Sequence, residues 1–260
     1  MRHTAAVTFA VIGLLACSFT SLPRAAQRAV PRTDTAVPFQ VGETLTYDVA
    51  WSSFLVAGTA VTTVRERRPS GTTPAYHIVA EGRPLPLVAR LYSLYYKMET
   101  LLDTATLLPQ QGTLYSEEGR RQRLGTTRFD RTARKAFFEL KTDTTVRADL
   151  AVPPRAQDGL SALYSLRANP INARTKVTIP ILDDGALYNV TMQASGTERV
   201  RVPLGEMTAW NVRVSITDAA GQAVGQNVGL WISDDAKRLP VKIQAELPVG
   251  TFALALRDAR

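Results

Sequence analysis

Two kinds of residue cluster in the sequence could do chemistry. One is the adjacent carboxylate pair Asp234-Asp235, with Arg238 close behind. Paired carboxylates serve acid–base work or bind hard cations such as Ca²⁺. They serve equally to close a turn by accepting backbone N–H groups, with Arg238 as ion partner. The other is Asp158, Ser161, Tyr164 and Arg167, spaced i, i+3 and i+4 so that one helical face presents all four. That face either lines a polar groove or is a capped helix whose tyrosine packs on a sheet. A glycan hydrolase would need two of Asp158, Asp234, Asp235 and Glu117 about 5–10 Å apart in a cleft.

The remaining supply of reactive groups is thin. There are two histidines, His3 and His77, and one cysteine, Cys17. An internal disulfide, a multi-cysteine zinc site and a histidine-rich metal centre are excluded on that count. A Ser-His-Asp triad would have to use His77, which lies in a strand-like run where histidine is usually a satisfied surface group. No catalytic residue, metal ligand or cofactor is assigned. Asp183-Asp184-Gly185 reads as a hairpin turn, because Asp-Gly suits positive φ. Trp231 is expected to be largely buried near the Asp234–Arg238 turn.

These residues must be positioned by strands. From Phe39 onward the dominant signal is period-2 alternation: Leu45, Tyr47, Val49 and Trp51 share one face. A β-branched run over 54–67 makes the second arm of a hairpin. Further strands are expected at 75–82, 96–103, 112–117, 126–129, 136–140, 176–182, 187–194, 199–202, 208–216, 226–232, 241–247 and 251–256. Only 158–167 and a short turn at 89–95 read as helical. Tyr92, Tyr95 and Tyr96 there either line an amphipathic pocket or pack in the core. Asp158 suits the helix N-cap and Arg167 its C-terminal dipole. The fold class is mostly β, a large curved antiparallel sheet forming a half-barrel or two halves, with one short helix near 158–167. No βαβ rhythm is present.

The 260 residues carry 31 basic and 23 acidic side chains, a net +8. The excess is spread along the chain and suits anionic partners, though no nucleic-acid module is visible. Residues 1–17 read as a secretory signal: Met1-Arg2-His3, then about a dozen apolar residues, too few to span a bilayer. Leu14-Leu15-Ala16-Cys17 is lipobox-like and makes Cys17 a lipid-attachment candidate; the alternative is simple cleavage nearby. Residues 18–38, rich in Ser, Thr, Pro, Ala and Arg, read as a disordered tether, and 39–257 as a single β-rich domain.

Three segments together carry a family resemblance: Phe39-Gln40-Val41-Gly42-Glu43-Thr44-Leu45-Thr46-Tyr47 with Ala57-Gly58-Thr59-Ala60, then Asp158-Gly159-Leu160-Ser161-Ala162-Leu163-Tyr164-Ser165-Leu166-Arg167, then Leu230-Trp231-Ile232-Ser233-Asp234-Asp235-Ala236-Lys237-Arg238-Leu239-Pro240-Val241 and Gly250. Over 37–257 the chain resembles the exported bacterial family designated domain of unknown function 3108. The resemblance implies an antiparallel β fold and an envelope location, in the periplasm or at the outer membrane. It carries no activity and no catalytic residue. The expected function is non-catalytic binding of an amphipathic or anionic envelope lipid, a glycan or a protein partner. The alternatives are the hydrolase above and a structural scaffold. An apolar concave interior would suit a lipid-like ligand.

Overall fold

The computed structural model describes residues 33–51, 55–70, 73–90, 93–224, 226–247 and 250–260. The expected leader, Cys17 and residues 18–32 of the expected tether lie outside them, as does Tyr92. Among the described residues, fourteen strands form one antiparallel sheet in the order β8-β7-β6-β5-β4-β3-β2-β1-β14-β13-β12-β11-β10-β9. The strands are β1 (Thr44–Trp51), β2 (Leu55–Ser70), β3 (Thr73–Pro84), β4 (Leu94–Asp103), β5 (Pro109–Glu118), β6 (Arg121–Asp130), β7 (Lys135–Lys141), β8 (Thr145–Ala151), β9 (Lys176–Asp183), β10 (Ala186–Val202), β11 (Gly205–Thr217), β12 (Gln226–Ser233), β13 (Pro240–Leu247) and β14 (Gly250–Ala259). Two helices interrupt them, α1 (Pro86–Ala89) and α2 (Gly159–Ala168).

The order makes two meanders joined through the β1–β14 pairing, where Leu45 lies opposite Ala259 and Trp51 opposite Phe252. The free edges are therefore β8 and β9. Open sheets of more than about ten strands curl, and this one curls around α2 without closing into a barrel.

Hydrophobic contacts show what α2 does inside that curl. Leu160 and Tyr164 pack with Phe39, Val64, Ile78, Leu102 and Leu107. Ala162 and Leu166 pack with Val190, Met192, Val212, Leu230 and Ile232. One helix thus touches both meanders, and most of its residues are buried. A helix buried on several sides is a core element rather than a lid. The concave interior is consequently filled rather than left open as an apolar bowl.

The outline differs from expectation in four places. The helical turn expected at 89–95 is α1, earlier in the chain with Pro86 in its first turn, and Tyr95 and Tyr96 belong to β4. β8 was not expected: it is mostly exposed, although Val146, Ala148 and Leu150 alternate with Arg147 and Asp149. The runs 187–194 and 199–202 are one strand, β10, bulged between Ala194 and Gly196. Residues 34–37, expected in the tether, are docked. The Thr35 N–H donates to the Thr104 carbonyl at 2.9 Å, Asp34 pairs with Arg67 at 2.7 Å, and Val37 joins the core around Phe39.

Candidate functional site

The helix is built into the sheet at both ends. At its start, Asp158 and Ser161 form a capping box. The Ser161 N–H donates to Asp158 Oδ1 at 2.7 Å, and the Asp158 N–H donates to Ser161 Oγ at 3.0 Å. Thr100 Oγ1 donates to Asp158 Oδ2 at 2.8 Å, which ties the cap to β4. Burial raises the Asp158 carboxyl above the usual aspartate value, against the pull of these bonds. Gly112 on β5 permits this approach, since a Cβ there would lie 3.0 Å from Asp158 Oδ2.

At its end, Arg167 is fully buried. Its Nη1 and Nη2 donate to Glu43 Oε1 and Oε2 at 2.7 and 2.9 Å. Its Nε donates to the Arg238 carbonyl at 3.0 Å. In return, Arg238 Nε donates to the Arg167 carbonyl. The guanidinium also lies 4.9 Å from the Tyr164 ring centre and 5.5 Å from that of Phe39. Desolvation disfavours its charge, but the Glu43 bonds prevail and hold its pKa above the ordinary arginine value. The three separated segments quoted above therefore meet at one side chain, Glu43 from the first, Arg167 from the second and the 237–238 turn from the third.

Asp234 and Asp235 are used in that turn. Asp235 Oδ1 accepts from Ser233 Oγ and from the N–H groups of Lys237 and Arg238, at 2.9–3.0 Å. Asp234 Oδ1 accepts from Trp210 Nε1 at 2.7 Å. The expected ion partner Arg238 is not theirs; it bonds the end of α2 instead. Trp231 is half-buried rather than largely buried. Leu230 and Ile232 take the inner face of β12, while Trp231 lies on the outer face under Lys242, 4.7 Å from its ring centre.

Of the carboxylates a hydrolase would need, Asp158 and the Asp234-Asp235 turn do not share a cleft; Asp234 and Asp235 line a separate space of about 340 Å³. Asp158 stands at one end of α2, and the Asp234-Asp235 turn meets the other. Ten helical residues at about 1.5 Å each separate them by roughly 15 Å. Glu117 follows Ser116 on β5 and so faces away from the pocket that Ser116 and Asp158 line. That pocket does contain Asp183, whose carboxyl burial also raises. Its volume is about 50 Å³, room for water and not for a sugar ring. His77 lies between Glu99 at 3.2 Å and Glu66 at 3.6 Å.

A larger space lies beside the helix. A cleft of about 560 Å³ runs between the C-terminal half of α2, the 106–108 turn and β9. Leu107, Leu166, Val177 and Ile179 supply apolar walls; Thr35, Asn169 and Thr178 are among its polar groups, and Arg155 is exposed at its margin. Gln157 also lines it, is 4% exposed, and its Oε1 has no hydrogen-bond partner. Sequence reading did not single out this cleft. Its residues come from five segments and share no spacing.

One solved structure of similar fold agrees with this architecture. A β-barrel-like protein of the DUF1849 domain of unknown function from Brucella abortus superposes with a TM-score of 0.54 at 10% identity, over 84% of this chain and 97% of that one. A protein of YmcC-like fold from Bacteroides fragilis gives a TM-score of 0.33 at 11% identity, over 88% of this chain and 100% of that one. No curated protein matches the sequence. The family model described as "Protein of unknown function (DUF3108)" matches residues 46–257. The chain, matched over most of its length and carrying its three characteristic segments on one buried arginine, belongs to the DUF3108 family.

Proposed function

We propose that this is an exported envelope protein that binds rather than transforms its ligand, an anionic or amphipathic envelope component or a protein partner. The cleft between α2 and β9 carries this reading. Its volume of about 560 Å³ falls within the range of ligand sites. It has apolar walls, hydroxyl and amide groups, and a buried amide oxygen left without a partner. A buried unpaired acceptor is costly, and a ligand donor relieves that cost. The N-terminal signal pattern supports export. Cys17 supports anchoring by lipid, to which acyl chains would add about 0.8 kcal/mol of membrane affinity per buried CH₂.

The test is mass spectrometry of molecules that co-purify with the mature protein from its own envelope. A stoichiometric small molecule or peptide supports binding; its absence from repeated preparations refutes it. Cys17→Ser tests the anchor separately, since it should move the protein from membranes to the soluble fraction.

A further inference from the structure

We infer that the cleft receives an extended acidic segment of another protein, which adds as a strand to the free edge of β9. This deepens the binding reading above and rests on it. The argument begins with backbone hydrogen bonds. β9 and β10 are joined by the two-residue turn Asp184-Gly185, both at positive φ. Alternate residues of β9 therefore bond β10, and those between them point to the open side. The Leu182 N–H and the Pro180 carbonyl show which set points outward. Leu182 donates to the Gln157 carbonyl at 2.8 Å, and Pro180 accepts from the Gln157 N–H at 2.8 Å. Gln157 thus covers this end of the edge as a single parallel bridge.

The cover stops there. Pro153 to Ala156 forms a turn, with the Ala156 N–H donating to the Pro153 carbonyl at 3.0 Å, and the chain does not continue along β9. By the same alternation, the N–H and C=O groups of Thr178 and Lys176 face the open side. Neither residue has a backbone partner there among the described residues. Pro180, which lacks an N–H, sits where the edge needs none. Four backbone groups in strand spacing thus stand free beside a cleft. A peptide backbone satisfies such a row with its own alternating donors and acceptors.

Charge selects the kind of peptide. Arg155 lines the cleft, and Arg174 and Lys176 stand exposed at the start of β9. None of the three side chains has an ion partner among the described residues. Lysine on this edge also opposes pairing between two copies of the chain, because like charges would meet. An acidic strand meets no such opposition. The Gln157 Oε1 acceptor then takes a donor from the incoming segment.

The test uses an acetylated, amidated peptide of alternating valine and glutamate, with a valine–lysine peptide as its control. Binding is read by fluorescence anisotropy and by amide hydrogen exchange of the full mature protein. The glutamate peptide should bind at least about tenfold more tightly than the lysine peptide, and should slow exchange at Lys176 and Thr178. Thr178→Pro removes one outward N–H at an edge position and should weaken binding by about tenfold or more. Arg155→Glu, at an exposed position, should weaken the glutamate peptide and not the lysine one. Absence of binding overturns the inference, as does binding that leaves Thr178 exchange unchanged. Anionic phosphatidylglycerol vesicles that bind wild type and Thr178→Pro alike, and displace the peptide, would assign the charge to a membrane. A co-purifying molecule that Thr178→Pro still retains would leave the cleft a binding site and refute strand addition.

Discussion

Arg167 and Tyr47 show how differently buried polar atoms contribute. Arg167 is satisfied by Glu43 and by the Arg238 and Lys237 carbonyls. Arg167→Met would leave Glu43 and those carbonyls without their donor. Breaking one side of such a pair costs about 3–5 kcal/mol, to be read by urea unfolding. Tyr47 is the reverse case, since its buried hydroxyl makes no well-formed hydrogen bond and has only a weak contact with Thr62. Tyr47→Phe should therefore be neutral or slightly stabilising in the same assay. Asp103 gives the pH dependence. Burial alone would raise its pKa, but hydrogen bonds from Thr73, Thr106 and Gln110 outweigh that and hold it below its ordinary 3.8. The unfolded chain thus binds this proton first as pH falls. Stability from Asp103 is complete above the unfolded value and is lost as pH drops through the folded one. Asp103→Asn should flatten the acid limb of unfolding measured between about pH 5 and pH 2.

Elements were legible where a local rule dictates them. Asp158 at the N-cap bounds the start of α2, and Asp183-Asp184-Gly185 makes the β9–β10 turn. β10 was divided because Gly196, at φ +138°, interrupts the alternation with a bulge. β8 was overlooked although Val146, Ala148 and Leu150 alternate with Arg147 and Asp149, because the run is short, mostly exposed and bordered by polar residues. The part played by Arg167 was not legible, because its partner is 124 positions away in sequence. Charge near a helix C-terminus is explained locally by the dipole, which conceals a longer-range bond. The β9–β10 turn also touches the opposite arm of the curl. A Cβ on Gly185 would lie 2.8 Å from Phe138 of β7, and Arg123 of β6 bonds Asp184 at 2.6 Å. Gly185→Ala should therefore cost about 1–3 kcal/mol from positive φ and overpacking together. Gly221→Ala, at similar φ with open space around it, isolates the backbone part. Equal losses of melting temperature would show that the turn does not press on β7.

At the scale of the molecule, the pairing of β1 with β14 places the two ends of the domain at the centre of the sheet and leaves β8 and β9 as its margins. The helix between those two margin strands in sequence turns inward and fills the curl. A cleft remains beside it, and that is where the binding reading locates the ligand. The direct measurement is native mass spectrometry of the mature protein taken from its own envelope, compared with Arg155→Glu and with Arg201→Glu on the distant β10–β11 hairpin. The account predicts a bound mass on wild type and on Arg201→Glu that is lost or strongly reduced on Arg155→Glu. No bound mass on wild type, or equal occupancy in all three proteins, would contradict it.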